Sequence, residues 1–411
     1  MNTDDKTMLA LAALTYRGFA KQSEGDIDTA LRSWLPALPS EGLGKWSVVW
    51  GPAAFRTPLS LFHDAMVYVA RQEDRPAGAR ARYAIAIRGT NPVSAFDWVF
   101  GDFFVSFQVD WLFSAAPAKL SASTALELEI IRGLGADGPA TRSATFAELR
   151  DALTTALRSP GGVPELDIHR LLNDSASIPD SEILQRIHSR MESTTKGHRS
   201  RALGDLFGRM GLPSLQLQHE VDRQLFDTLL RQIHDSTDRG EKLIDFLSRA
   251  VEQDAIVAVT GHSKGGALSV ATALWLAETL PSSRNLEIQS YAFAGPTPGN
   301  AAFAQRYNAR LAARTRRIIN RFDVVPQAFA TEDLGSVATN YPLLAEPTTF
   351  VVSSIRALDY THVGGEVIQI QSQKTGKNLA GELTYQHLDA YLKDAQFQSP
   401  KWNATSIFLD A

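Results

Sequence analysis

Apolar, β-rich runs alternate along this chain with stretches of helical spacing. Asp64 to Gln72 (DAMVYVARQ) and Arg82 to Arg88 (RYAIAIR) read as neighbouring strands, joined by a turn through the Pro- and Gly-containing EDRPAGAR. Ala255 to Thr260 (AIVAVT) carries no charge, as a strand buried on both faces requires. After it, Ala267 to Leu280 is rich in Ala and Leu and stopped by Pro281, which predicts a helix. Ile288 to Ala294 and Arg317 to Asn320 add two strands, separated by a helical Ala301 to Arg314. Thr349 to Ser354 and Glu366 to Gln371 alternate in strand fashion. Near the start, Leu9, Leu11, Leu14 and Phe19 suit a helix packed on a core. Strands interleaved with helices of this length predict an α/β fold, a mostly parallel central sheet flanked by helices on both faces.

The stretch from about Ala115 to Gly240 breaks this pattern. It is strand-poor, with helical periodicity at Phe146 to Leu157 and Leu217 to Ile233, and Arg186 to Arg209 holds six Lys/Arg against two Asp/Glu. We read 115–240 as a mostly helical insertion or cap within a single domain spanning 1–411. Composition then narrows the function. With 411 residues, a net charge of −4, 44% hydrophobic and 21% charged residues, the chain is an ordinary globular protein. Its charge argues against nucleic-acid binding through overall basicity. The absence of cysteine removes disulfides, thiolate metal sites and a cysteine nucleophile. The acidic start and short apolar run Met8 to Leu14 do not form a signal peptide, so the default location is cytoplasmic, with signal-independent export as the alternative. No run reaches the about 18 apolar residues of a membrane span.

The sharpest local signal is Gly261-His262-Ser263-Lys264-Gly265-Gly266. The bare G-x-S-x-G pattern recurs by chance in a chain with 28 glycines, but here a strand precedes it and a helix follows. A serine on such a tight turn is exposed above the sheet, and the helix N-terminus favours developing negative charge. The N–H of Lys264 can supply half of an oxyanion hole. A phosphate-binding loop does not fit, because Lys264 precedes the glycines.

These residues resemble the elbow, typically G-H-S-L-G-G, of the class 3 (fungal-type) lipase family of α/β-hydrolases. Three further segments match in order. Ala86-Ile87-Arg88-Gly89-Thr90 resembles the family's apolar strand ending in R-G-[ST]. The run from Ala292 to Asn300 resembles its F-G-x-P-x-x-G-N segment, and Asn320 to Pro326 its N-x-x-D-x-V-P segment. Together they span about residues 60 to 390. The resemblance implies the chain order Ser, Asp, His. Asp323 then orients the base, and of nine histidines only His362 and His387 lie beyond it. His387 sits in a segment resembling the family's C-terminal H-x-x-Y, with the histidine opening a helix, and is preferred over His362, which resembles a structural segment upstream. Thr90 is the candidate for the second oxyanion N–H.

Phe96, Trp98, Phe100, Phe103, Phe104, Phe107 and Trp111 follow at a density far above the 9% aromatic average. In the family this neighbourhood carries a lid, and Phe96, Trp98 and Phe100 are its candidates here. A buried core segment fits the same pattern. Two features depart from the family: Lys264 replaces the usual leucine, and 173 positions separate Thr90 from Ser263. Arg306, Arg310, Arg314, Arg316, Arg317 and Arg321 form a basic run with no acid between them, suited to a solvated helix face or to anionic lipid headgroups. No metal-ligand spacing is present, and neither cofactor nor metal is expected. The reading is a serine carboxylester hydrolase, a lipase on acylglycerol esters that contacts a lipid interface transiently. Its alternatives are a phospholipase A1-type hydrolase, including an exported effector, and an inactive lipid-binding protein.

Overall fold

The computed structural model describes residues 1–17, 24–55, 65–89, 108–112, 117–136 and 240–409. They belong to one compact unit, Met1–Phe55, Phe62–Thr141 and Thr237–Ala411. Arg56–Leu61 and Arg142–Ser236 divide off as a second unit, outside the described residues. In chain order the main elements are α1 (Thr3–Leu14), α2 (Glu24–Arg32), β1 (Trp46–Phe55), β2 (Ala65–Gln72) and β3 (Arg82–Ile87). Next come β4 (Gln108–Asp110), β5 (Lys119–Ser121), α3 (Ala122–Gly133), β6 (Gly135–Ala136), β7 (Glu241–Lys242) and α4 (Leu243–Ala250). The elbow region follows as β8 (Ile256–His262), α5 (Lys264–Thr279), β9 (Glu287–Phe293), α6 (Ala301–Leu311) and β10 (Thr315–Ile319). The chain closes with α7 (Thr331–Asn340), α8 (Ala345–Ile355), β11 (Glu366–Gln369), α9 (Leu379–Thr384), a π turn (Tyr385–Asp389) and α10 (Ala390–Ala395).

Seven strands form one sheet in the order β1-β2-β3-β8-β9-β10-β11. The pairs β1–β2 and β2–β3 are antiparallel, and every pair from β3 onward is parallel. This is the α/β sheet that the alternation predicts. Helices cover both faces. On one, Met8, Leu11 and Leu14 of α1 pack with Tyr68, Ala84, Ala86, Ala258 and Phe293, and Thr260 Oγ1 donates to the Met8 carbonyl at 3.0 Å. On the other, α5 lies over the face carrying Ser290, whose hydroxyl is 3.5 Å from that of Ser269. Each fully buried Leu of α1 contributes about 1.5–3 kcal/mol. A reciprocal cap between Asn2 and Asp5 starts the helix, and Asp5 is also held by Arg316 of β10 at 2.6 and 3.0 Å.

One expectation changes. Thr349 to Ser354, expected as a strand, lies in helix α8. Leu344, Thr348 and Ile355 are buried, with Val351 and Val352 half-buried between them. That is helical spacing, and packing with Leu334 and Val337 overrides the β-branched composition. The insertion expected over 115–240 lies outside the described residues from 137 to 239. Its first part is described and belongs to the main unit: α3 buries Leu128, Ile130 and Ile131. Its two ends meet where β6 pairs antiparallel with β7, Gly135 opposite Lys242. The strand-poor composition therefore begins before the unit boundary. No helix among the described residues is long and apolar enough to cross a membrane.

Candidate active site

All the parallel strands point their C-terminal ends to one edge of the sheet, and the predicted chemistry collects there. Ser263 joins β8 to α5 with φ 62° and ψ −130°, a conformation that L-residues rarely adopt. Glycines make the turn possible. A Cβ on Gly261 would stand 2.1 Å from the Gly265 carbonyl oxygen, and one on Gly265 would stand 2.5 Å from that of Ile87. The Ser263 N–H donates to the Phe293 carbonyl at 2.9 Å, which fixes the elbow to β9. The hydroxyl Oγ is buried and has no hydrogen-bond partner among the described residues. The N–H of Lys264 stands in the first turn of α5, where backbone donors lack intrahelical acceptors.

Asp323 follows β10 on a tight turn closed by its own N–H to the Asn320 carbonyl, 3.0 Å. Its carboxylate is 1% exposed. Oδ1 accepts from the Val325 N–H at 3.0 Å, and Oδ2 accepts from the Tyr391 hydroxyl at 3.0 Å. Oδ2 also lies 2.9 Å from His387 Nδ1. A carboxylate only accepts, so Nδ1 carries the proton and Nε2 presents its lone pair. Nε2 is buried and has no partner among the described residues. The structure thus brings Asp323 and His387 together, beside the residue that precedes Ser263: the rings of His262 and His387 are 4.6 Å apart. His362 is elsewhere, 3.2 Å from Asp333, and burial holds its pKa below the ordinary value.

His387 does not open a helix. It lies in the π turn between α9 and α10, within one continuous helical stretch. Its tyrosine partner, Tyr391, stands four positions on rather than three, and the wider turn accommodates the extra residue. Gln386 pins this turn. Its amide nitrogen donates to Glu382 at 2.7 Å and to the Gln373 carbonyl at 2.8 Å, and its Oε1 accepts from Asn320 at 2.8 Å and from Ser372 at 2.6 Å. Asn320 N–H in turn donates to the Tyr391 oxygen at 3.0 Å.

His262 is a buried bolt under the dyad. Its Nε2 lies 2.8 Å from the His387 carbonyl oxygen and Nδ1 lies 3.4 Å from the Tyr16 hydroxyl. Burial, and then the charge of His387, hold its pKa well below 6.5, so it stays neutral and donates through Nε2. Burial also raises the phenol of Tyr391 well above its ordinary value, and the charge of Asp323 pushes the same way. Sequence reasoning missed His262, Tyr16 and Gln386 as positioning groups, because nothing in their local spacing announces partners 246 or 66 positions away.

Lys264 does not follow the apolar pattern of the family. Its ammonium donates to Glu127 Oε1 of α3 at 2.7 Å, a pair buried on both sides. Thr90, Phe96, Trp98 and Phe100 lie outside the described residues. Trp111, the last aromatic of that run, is core: it is 1% exposed, donates Nε1 to Glu278 at 2.9 Å and stacks edge-on with Phe303. Among the described residues no three His, Asp or Glu side chains converge as a metal cage would require.

A mostly parallel sheet with helices on both faces and a strained serine at a strand-to-helix turn is the α/β-hydrolase fold. Comparison agrees: the crystal structure of M37 lipase superposes with a TM-score of 0.67 at 24% identity, covering 100% of this chain and 98% of that one. Residues 218–332, which include Ser263 and Asp323 but stop before His387, match the model of the class 3 lipase family. Two curated relatives share part of the chain. Phospholipase A1 EG1, chloroplastic/mitochondrial, of Oryza sativa subsp. indica is 34% identical over 133 residues, 31% of this chain and 28% of its own. Phospholipase A1-Igamma2, chloroplastic, of Arabidopsis thaliana is 32% identical over 99 residues, 21% and 18% of the two chains. The chain thus matches less than a third of the length of either relative.

Proposed function

We propose that the protein is a carboxylic ester hydrolase acting on lipid esters through Ser263, Asp323 and His387. The observation that carries this reading is the buried Asp323–His387 pair at 2.9 Å beside an elbow serine whose hydroxyl has no partner among the described residues. Ser263 Oγ attacks the ester carbonyl while its proton passes to His387 Nε2. Asp323 holds the resulting imidazolium through Nδ1. The Lys264 N–H, with that of Thr90 as second donor, takes the oxyanion. His387 returns the proton to the departing alcohol, and water repeats the sequence on the acyl-serine, releasing the acid.

Acylglycerols are the substrate class first implied by the lipase resemblance. A phospholipase A1 activity is the second reading, favoured by the names of the two relatives. An exported role and a transient contact with the lipid interface belong to the same proposal. Ser263→Ala is expected to abolish p-nitrophenyl ester turnover while the protein stays folded; turnover at the parental rate would sink the mechanism. Rates on dispersed triacylglycerol and on phospholipid separate the two substrate readings, and absence of turnover on any ester would leave a lipid-binding protein instead.

A further inference from the structure

The arginine run noted in the sequence does not form one basic face. Arg306 and Arg310 pair with Glu278, Arg316 pairs with Asp5 and Glu366, and Arg317 is half-buried and donates to the Val363 carbonyl. Arg321 differs, because it follows β10 at the catalytic edge, two residues before Asp323. Its guanidinium lies 4.4 Å over the ring of Phe322. From the loop after β11, Lys374 reaches the same place, 4.8 Å from the Tyr341 ring and 5.8 Å from that of Phe322. Lys377 lies 5.4 Å over Tyr385, two residues before His387. The three cations are exposed, and none pairs with a carboxylate among the described residues. Glu382, an acid of the same loop region, is buried and turned inward onto Thr375 and Gln386. Asp389 is half-buried and feels the charge of Lys377, without an ion pair between them. Two residues beyond Tyr341 stands Leu343, 79% exposed, far more than any other large apolar side chain among the described residues.

We propose that Arg321, Lys374 and Lys377, with Phe322, Tyr385 and the protruding Leu343, form a docking surface for an anionic lipid interface. The inference rests on the lipid-ester reading and deepens it by naming the charge of the surface from which substrate is taken. Cations alone would suit any phosphate. The half-buried rings of Phe322 and Tyr385 beneath them and the protruding leucine are what a bilayer adds: rings settle at headgroup level and an aliphatic side chain enters the acyl boundary. The placement also has a consequence for turnover. Both cationic loops flank the acid and base of the site, so a membrane held there delivers its esters to the edge where Ser263 lies.

The test is binding, read apart from catalysis. The Ser263→Ala protein is sedimented with vesicles of phosphatidylcholine alone and of phosphatidylcholine mixed with phosphatidylglycerol. Tighter binding to the mixed vesicles, weakened by salt, is expected. Adding Arg321→Gln, Lys374→Gln and Lys377→Gln is expected to weaken it by roughly tenfold to a hundredfold, from a modest gain per cation near an anionic surface. Leu343→Ser is expected to weaken binding to both vesicle types. In the parental background, the triple variant is expected to keep its rate on p-nitrophenyl butyrate. Equal binding of the triple variant and its parent to the mixed vesicles would overturn the proposal. So would loss of binding to millimolar inorganic phosphate, which would mark a site for a soluble ion. Failure of the hydrolase reading shows separately, as absence of ester turnover by the parental protein.

Discussion

Lys264 and Glu127 offer a quantitative test of how the elbow is anchored. Their charged atoms are 2.7 Å apart, with side chains only 8% and 11% exposed. At an effective dielectric near 20 the gross attraction is ~6 kcal/mol, much of it offset by desolvation of both groups. Replacing the pair costs little in such sites, whereas removing one partner costs about 3–5 kcal/mol. Glu127 Oε2 already lacks a hydrogen bond, so Lys264→Met strands the whole carboxylate in the interior. With an unfolding entropy of ~2 cal/mol/K per residue, that loss lowers Tm by about 3–6 °C. We predict that Lys264→Met falls by this amount, and that the double variant Lys264→Met/Glu127→Leu recovers most of it. Calorimetry and urea unfolding of the four proteins give the coupling directly. Only the N–H of residue 264 is assigned to the oxyanion, so the folded single variant is expected to keep soluble-ester turnover within about tenfold of the parent. A double variant as unstable as the single one would refute the stranded-charge reasoning.

Three further outcomes follow from the same geometry. His262 titrates near 6.5 in an unfolded chain and well below it when folded, so its contribution is whole above that pH and is lost as pH falls through it; His362, also lowered by burial, adds to the slope. His262→Gln is therefore expected to flatten the decline of the unfolding free energy as pH falls below about 6.5, by up to ~1.4 kcal/mol per pH unit in urea titrations. Tyr391→Phe removes a donor to Asp323 and an acceptor for the Asn320 N–H; stability should drop by about 1–3 kcal/mol and kcat should fall with little change in KM. Because Ser263 sits at φ 62°, Ser263→Gly is expected to melt above Ser263→Ala; the reverse order in calorimetry would show that the turn stores no strain.

The parallel core was legible because its strands announce themselves twice, by apolar runs and by the helices between them. Val257 to His262 are buried throughout, as an uncharged run predicts. The reading failed where periods overlap: Thr349 to Ser354 is rich in β-branched residues, yet only the three- and four-residue spacing from Leu344 to Ile355 decides its shape. It also went unwarned about β1, whose run is broken at Gly51-Pro52 by a shift in register. At the site, Ser263 and Asp323 stood out because each lies at a strand's C-terminal end within an ordered set of motifs. Glu127 could not, since a glutamate in a helix reads as solvated until its partner, 137 positions away, is known.

The distribution of satisfied and unsatisfied groups supports the same assignment independently of any motif. Around Asp323 almost every buried polar atom is engaged: the carboxylate accepts from Val325, Tyr391 and His387, and Asn320 and Gln386 hold each other and the turn. A buried polar atom left without a partner costs about 1–3 kcal/mol, so a fold that satisfies this network gains by satisfying its neighbours too. Yet Ser263 Oγ and His387 Nε2 remain without partners among the described residues, the first on a strained backbone and the second on a ring whose other nitrogen is fixed. Packing does not call for a hydroxyl at φ 62°, since glycine would relieve the strain and leave no orphan. The arrangement makes sense if both atoms find their partners in a reacting ester, with the surrounding network holding the base in one orientation until it arrives.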